Sequence, residues 1–290
     1  MDVLLTVFVY LLVFALGASV GSFLSVVIHR VPAGVSILVP PSHCPVCHHQ
    51  LKWQENVPIL GWIWLKGRCS SCHTTIPARY PLLEAACGAV FLLLFWMFGV
   101  SWQTLAYWSF FSWLLGLSLI DIETMTLPNA LTQSGLVAGL IMRSVGGAIA
   151  TASWTGGLTA GMEGVVGAVV GLWLLDMIAL VGSVALGQTA MGGGDAKLAA
   201  MMGAWLGWQQ LLLAGFLACV VGAFAGGGAI AIGLLNRRQP FPFGPFLALG
   251  GIIAAIWGQE IVHLYFQIFF PTVLSLNGMK MVCMLGKFFK

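Results

Sequence analysis

Seven predominantly apolar stretches lie near residues 3–28, 82–99, 102–120, 130–147, 164–184, 211–235 and 246–266. Each is at or near the roughly 20 residues that cross a bilayer as helix. No other feature restricts the fold so strongly. Lipid offers the backbone no hydrogen-bond partner, so a spanning segment is either helix or part of a closed barrel. Barrel strands read as alternating segments of about 10 residues, and the sequence has none. Composition agrees. Hydrophobic residues make up 59% and charged residues 7%, against about 25% charged in soluble domains. A soluble globule, a disordered chain, a coiled coil and a secreted disulfide scaffold are all excluded. An eighth apolar stretch, Leu198–Trp208, is about half the usual spanning length and reads as a short crossing or a re-entrant segment. The expected fold is an all-α polytopic membrane protein with about eight transmembrane helices, its main partner being membrane lipid. The net charge of +3 is too small to argue for nucleic acid, and none is expected.

The start of the chain reads as a transmembrane helix, not as a removable signal. Asp2 stands where a signal would carry basic residues, and the apolar run from Val3 to Ile28 is too long for a signal core. Residues 29–80 are different in kind. They hold five of the 12 basic residues (Arg30, Lys52, Lys66, Arg68, Arg79), five of the six histidines and four of the seven cysteines. Loop lysine and arginine mark the cytoplasmic side. The chain therefore divides into a first transmembrane helix (1–28), a small cytoplasmic domain (29–80) and a transmembrane region (81–290). Counting crossings puts Asp121, Asp195 and the Arg237-Arg238 doublet at the cytoplasmic face. The tail lysines Lys280, Lys287 and Lys290 fit that count poorly. The abundant glycines, including Gly156-Gly157 and Gly226-Gly227-Gly228, suit close helix packing or loops, and no repeat of fixed period is visible.

Cys44-Pro45-Val46-Cys47 and Cys69-Ser70-Ser71-Cys72 form two C-x-x-C knuckles with 21 residues between them. Each knuckle presents two thiolates to one metal ion, and two knuckles complete a tetrahedron suited to zinc. A disulfide pair or a redox site is the competing reading, and the reducing cytoplasmic side argues against both. Four protein ligands leave no open position for water, so the zinc is expected to be structural. His43, His48, His49 and His73 flank the knuckles and read as solvated neighbours. Cys87, Cys219 and Cys283 read as small core hydrophobes.

Acids within or bordering apolar spans are functional candidates. Here they are Glu84, Asp121, Glu123, Glu163, Asp176, Asp195 and Glu260. Asp121 closes the third span, shortly before the Leu127-Pro128-Asn129 turn. Asp195 follows Gly192-Gly193-Gly194, three residues that break a helix and let another backbone approach the carboxylate. Two aspartates at one site of low dielectric do not both ionise readily. They share a proton, one acting as base and the other as acid. Such a pair hydrolyses peptide bonds by activating water. Against this stands the plainer reading of each acid as an interfacial or capping residue. Glu123, two residues from Asp121, is expected on a different helix face and at the interface. Lys197 either neutralises a carboxylate or, as preferred, extends to the interface.

These motifs, in this order and over nearly the whole chain, resemble the type IV prepilin peptidases, a group of GxGD-type membrane aspartyl proteases. The similarity runs through Gly21-Ser22-Phe23 to Arg30-Val31-Pro32, the two knuckles, Arg79-Tyr80-Pro81 with Glu84, Asp121 with Leu127-Pro128, Gly192-Gly193-Gly194-Asp195 with Lys197, and Pro242-Phe243-Gly244-Pro245-Phe246. The resemblance implies Asp121 and Asp195 as catalytic residues, with Gly192 and Gly194 as the glycines of the motif. It implies prepilins and pilin-like proteins as substrates, with a basic leader cut at the cytoplasmic face of the bacterial inner membrane. It further implies N-methylation of the new N-terminus from S-adenosylmethionine, since the cysteine domain accompanies the bifunctional members. Glu84 is expected to engage the basic leader. Two positions depart from the pattern: Asn129 stands where many members carry Asp, and Gly193 where many carry a bulkier residue. The competing readings are a peptidase alone with structural zinc, a proton- or metal-coupled transporter with Asp121, Asp176 and Asp195 as a relay, and a non-catalytic assembly scaffold. The absence of inverted repeats counts against the transporter.

Overall fold

The computed structural model describes residues 3–187, 192–233 and 241–269. Met191, Arg237, Arg238, Cys283 and the three tail lysines lie outside the described residues. The helices, in chain order, are α1 (Val3–Arg30), α2 (Leu60–Trp64), α3 (Arg79–Phe98), α4 (Trp102–Thr124), α5 (Asn129–Thr151), α6 (Trp154–Leu186), α7 (Gly193–Leu206), α8 (Trp208–Ala231) and α9 (Gly244–Phe269). Among the described residues there is no strand, and seven helices are long and apolar enough to cross a membrane. The eighth apolar stretch is the core of α7. At 14 residues this helix is about 21 Å long, short of the roughly 30 Å hydrocarbon core. The chain forms two compact units, Met1–Pro128 and Asn129–Lys290.

In the first unit α1 packs along α3, and α4 closes the group. The α1–α3 contact depends on absent side chains. A Cβ on Gly21 would lie 2.8 Å from the Glu84 Cα, and one on Gly17 would lie 2.7 Å from the Phe91 Cβ. Small residues let the two backbones approach, which is how helices associate where lipid removes the hydrophobic drive between them. The Trp108 ring stacks on Phe91 at 4.9 Å and its Nε1 donates to the Phe91 carbonyl at 3.0 Å, which fixes α4 against α3. Ser101 caps α4 by accepting from the Thr104 N–H, and Met125 ends it in a left-handed conformation.

The cysteine segment between α1 and α3 is built from two matching turns. Cys44 N–H donates to the His49 carbonyl and His48 N–H to the Cys44 carbonyl. Cys69 N–H donates likewise to Thr74, and His73 N–H to Cys69. Isolated bridges, His43–Gln50 and Arg68–Thr75, close each turn. His48 and His73 therefore occupy equivalent places, both left-handed at φ 56° and 57°. That is a backbone role the sequence did not disclose. Histidine is among the few residues enriched in that region. Between the turns, Trp62 Nε1 donates to the Ile76 carbonyl at 3.0 Å. Its ring lies against Gly67, where φ is +68° and a Cβ would stand 2.8 Å from the indole.

In the second unit α7 is the centre. Every residue from Leu198 to Ala204 is buried, and α5, α6, α8 and α9 pack around it. A helix hydrophobic on all sides belongs inside a core. Gly203 and Gly167 face each other so closely that a Cβ on either would collide with the other's carbonyl group. Arg143 of α5 donates from Nε to the Ala160 carbonyl (3.0 Å), from Nη1 to the Trp205 carbonyl (3.1 Å) and from Nη2 to Glu163 (2.7 Å). Trp205 Nε1 in turn donates to the Gly135 carbonyl at 2.8 Å. Cys87 is buried in α3 as expected, whereas Cys219 is exposed on α8 and is not a core residue.

Candidate functional site

Among the described residues only three charged side chains are buried: Glu84 at 9% exposure, Asp121 at 6% and Asp195 at 8%. All three are candidates from the sequence. Asp121 sits in the last full turn of α4, in the first unit, and its carbonyl accepts the Met125 N–H that terminates the helix (2.9 Å). Asp195 sits in the first turn of α7, in the second unit. Its N–H bonds to the Gly192 carbonyl at 3.2 Å, so Gly192 serves as the N-cap. The positive end of a helix dipole favours a carboxylate there. Among the described residues a Cβ at Gly193 would meet nothing within 4 Å, and one at Gly192 only the Gly194 nitrogen at 4.0 Å. Among the described residues, then, no side chain presses against Gly192 or Gly193.

Lys197 has a partner that neither reading named. Its Nζ donates to the Asn129 Oδ1 at 2.7 Å, joining the first turn of α7 to the first residue of α5. Glu123 is more than an interfacial acid. It pairs with Arg79 (3.0 Å), and His29 Nδ1 lies 3.8 Å from its other oxygen. Arg79 Nη2 and the Tyr80 hydroxyl both reach His29 Nε2, at 2.9 and 3.1 Å. This cluster ties the ends of α1, α3 and α4 together within the first unit. Its sequence signal lay in the His29-Arg30 and Arg79-Tyr80 dipeptides of the motif segments. Asp176 is exposed on α6. That helix has 33 residues and runs about 50 Å, long enough for Asp176 to stand outside the hydrocarbon.

The four cysteines converge. Their sulfurs all lie within 4.8 Å of one another, with Cys44 and Cys72 at 3.7 Å and Cys47 and Cys69 at 3.9 Å. None is joined in a disulfide. The backbone N–H groups of Cys47 and Val46 point at the Cys44 sulfur and lower its pKa to about 6. Those of Cys72 and Ser71 lower that of Cys69 in the same way. Cys47 moves to about 11: the His49 N–H draws it down, but lost hydration and the thiols of Cys72, Cys44 and Cys69 outweigh that. Sulfurs this close do not all carry charge without a cation among them, and the cluster can hold a metal ion.

Glu84 is not displayed on an open surface. Its Oε2 accepts the Ile59 N–H at 2.6 Å, and it lines a cleft of about 570 Å³ between the cysteine segment and the facing ends of α1 and α3.

Helices of spanning length, buried acids at helix ends and a four-thiol centre define a polytopic membrane protein with a small cysteine domain. Residues 15–98 match the bacterial peptidase A24 N-terminal domain, and residues 108–227 match the type IV leader peptidase family. Curated relatives named prepilin leader peptidase/N-methyltransferase include one from Stutzerimonas stutzeri, 38% identical over 87% of this chain and 92% of its own length. Others are from Aeromonas hydrophila, 36% identical over 88% and 92%, and Pseudomonas aeruginosa, 37% identical over 87% and 91%. No solved structure matches the chain. The chain belongs to the type IV leader peptidase family, a family of aspartic peptidases, and is a multi-pass protein of the inner membrane.

Proposed function

We propose that this chain removes the leader from type IV prepilins and pilin-like proteins at the cytoplasmic membrane face, and then N-methylates the new N-terminus. The single observation that carries the peptidase half is the burial of Asp121 and Asp195. Both are withdrawn from water in a chain where the other described acids, Glu84 aside, are not buried. In the reaction one aspartate holds a proton and its partner does not. The ionised one takes a proton from water, and the resulting oxygen nucleophile attacks the scissile carbonyl. The protonated one hydrogen-bonds the developing oxyanion. As the C–N bond breaks, the leaving nitrogen receives the proton first taken from water, and one carboxyl again carries a single shared proton. Gly192, Gly193 and Gly194 carry no side chains to keep an extended substrate backbone from Asp195. The substrate's apolar helix remains in lipid while its basic leader stays in the cytoplasm.

The cysteine cluster is read as a structural zinc site. Four thiolates about 2.3 Å from one zinc ion stand about 3.8 Å apart, which matches the 3.7 and 3.9 Å separations between opposite knuckles. Cys44, Cys47, Cys69 and Cys72 would be its ligands, with no position left for water. S-adenosylmethionine is the proposed methyl donor, on the strength of the relatives' name.

Incubating the purified full chain with a prepilin tests the first activity. Leader removal is expected from the native chain and from neither Asp121→Asn nor Asp195→Asn. Cleavage by both variants at the native rate would end the peptidase assignment. Labelled S-adenosylmethionine in the same reaction reads the second activity.

A further inference from the structure

We infer that the cleft of about 570 Å³ in the first unit is the methyl-transfer site, and that Glu84 is its buried counter-charge and base. This rests on the methyltransferase reading above. The volume falls in the range of small-molecule sites, roughly 300–1,000 Å³. Asp121, in the same unit, does not line it, so the cleft is not the hydrolytic centre.

Its walls suit the donor's chemistry. An S-adenosyl donor carries a sulfonium cation, a purine, and an amino-acid end with both charges. Glu84 is the buried acid of the cleft, and among the described residues its one hydrogen bond is to Oε2. Oε1 is left for a cation. Trp62, its indole fixed by the Ile76 carbonyl and by Gly67, offers a ring for a purine or a sulfonium. Leu65 adds apolar wall. His49 Nε2, another lining atom, makes no hydrogen bond among the described residues, and the Glu55 carboxylate stands 3.7 Å from it. A hydrogen-bonding ligand in the cleft would complete its bonding.

When bound, the donor supplies a methyl group whose carbon–sulfur bond breaks as the carbon–nitrogen bond forms, the electron pair remaining on sulfur. The amine released by leader cleavage is neutral as it leaves but takes up a proton from water near neutral pH, and the ammonium sheds that proton before its lone pair can attack. Glu84 Oε1 receives that proton. The same carboxylate favours a cationic donor over its neutral thioether product, which promotes exchange after each transfer.

Equilibrium binding of labelled S-adenosylmethionine and of S-adenosylhomocysteine to the full chain in lipid nanodiscs tests this. The native chain is expected to bind the charged donor more tightly. Glu84→Gln should weaken donor binding by roughly tenfold or more while changing product binding little. As a measurement independent of any variant, photo-crosslinked donor on the native chain should label the segment 49–84. Equal donor binding by native and Glu84→Gln chains, or label confined to other segments, overturns the inference. So does a Glu84→Gln variant with unaltered donor affinity and a raised KM for leader cleavage, which would give the cleft to the basic leader. Failure of the native chain to bind any donor removes the methyltransferase reading itself, a result distinct from the others.

Discussion

Lys197 Nζ and Asn129 Oδ1 are 2.7 Å apart. The bond spans the start of α5 and the start of α7, and Lys197 lies two residues after Asp195. Together with the Trp205–Gly135 and Arg143–Trp205 bonds farther along, it holds α7 against α5 near both ends. Lys197 thus fixes the first turn of α7, the turn that carries Asp195. Lys197→Ala and Asn129→Ala should each lower kcat for leader cleavage by roughly tenfold, about what a hydrogen bond to a charged group contributes. The double variant should be little worse than either single one, because both remove the same bond. Asn129→Asp keeps an acceptor for the ammonium and should retain activity. Measured kcat and KM for the four chains check this.

Arg143 gathers three elements around the far end of α7. Its Nη1 meets a carbonyl near the negative end of that helix, where a cation is favoured. Arg143→Met should destabilise the second unit by about 1.5–3 kcal/mol, the range for hydrogen bonds to a charged group. Glu163→Gln should cost under about 1 kcal/mol, since Glu163 is 62% exposed. Denaturation in detergent, followed by tryptophan fluorescence, separates the two.

Removing one cysteine should release the metal and loosen the segment between α1 and α3. Cys69→Ser leaves three thiols where four converge. Elemental analysis should find about one zinc per native chain and much less in the variant. Proteolysis of the variant should then begin within residues 31–78. A chelator should reproduce both effects.

The same cluster dictates a pH response. Cys44 has its pKa lowered from 9.0 to about 6. A lowered folded value means that the thiolate contributes stability fully present above the ordinary cysteine range and lost as pH falls through about 6. Protons and metal compete for sulfur, so metal retention moves in the same direction. Metal content across a series from mildly alkaline to mildly acidic buffers should fall on the acid side.

Spanning helices, the cysteine quartet and the three buried acids were legible in the sequence because each leaves a local mark: length, spacing, or charge within an apolar run. What stayed hidden depends on partners distant along the chain. Glu123 was read as interfacial from its offset to Asp121, yet its partner Arg79 lies 44 positions away. Lys197 was read from its surroundings, while its acceptor is 68 positions away. The short stretch at Leu198 fitted either a crossing or a re-entrant segment. Only the packing of its neighbours shows it enclosed on all sides. Cys219 was judged by an apolar sequence context that a lipid-facing position shares with a core one.

The enclosure of α7 has a consequence for the environment in which the enzyme works. Helices that touch acyl chains tilt or stretch as membrane thickness varies. From Leu198 to Ala204, α7 is sheathed by protein instead. The acid at its tip is therefore buffered from the fatty-acid remodelling by which a bacterium adjusts to cold or heat.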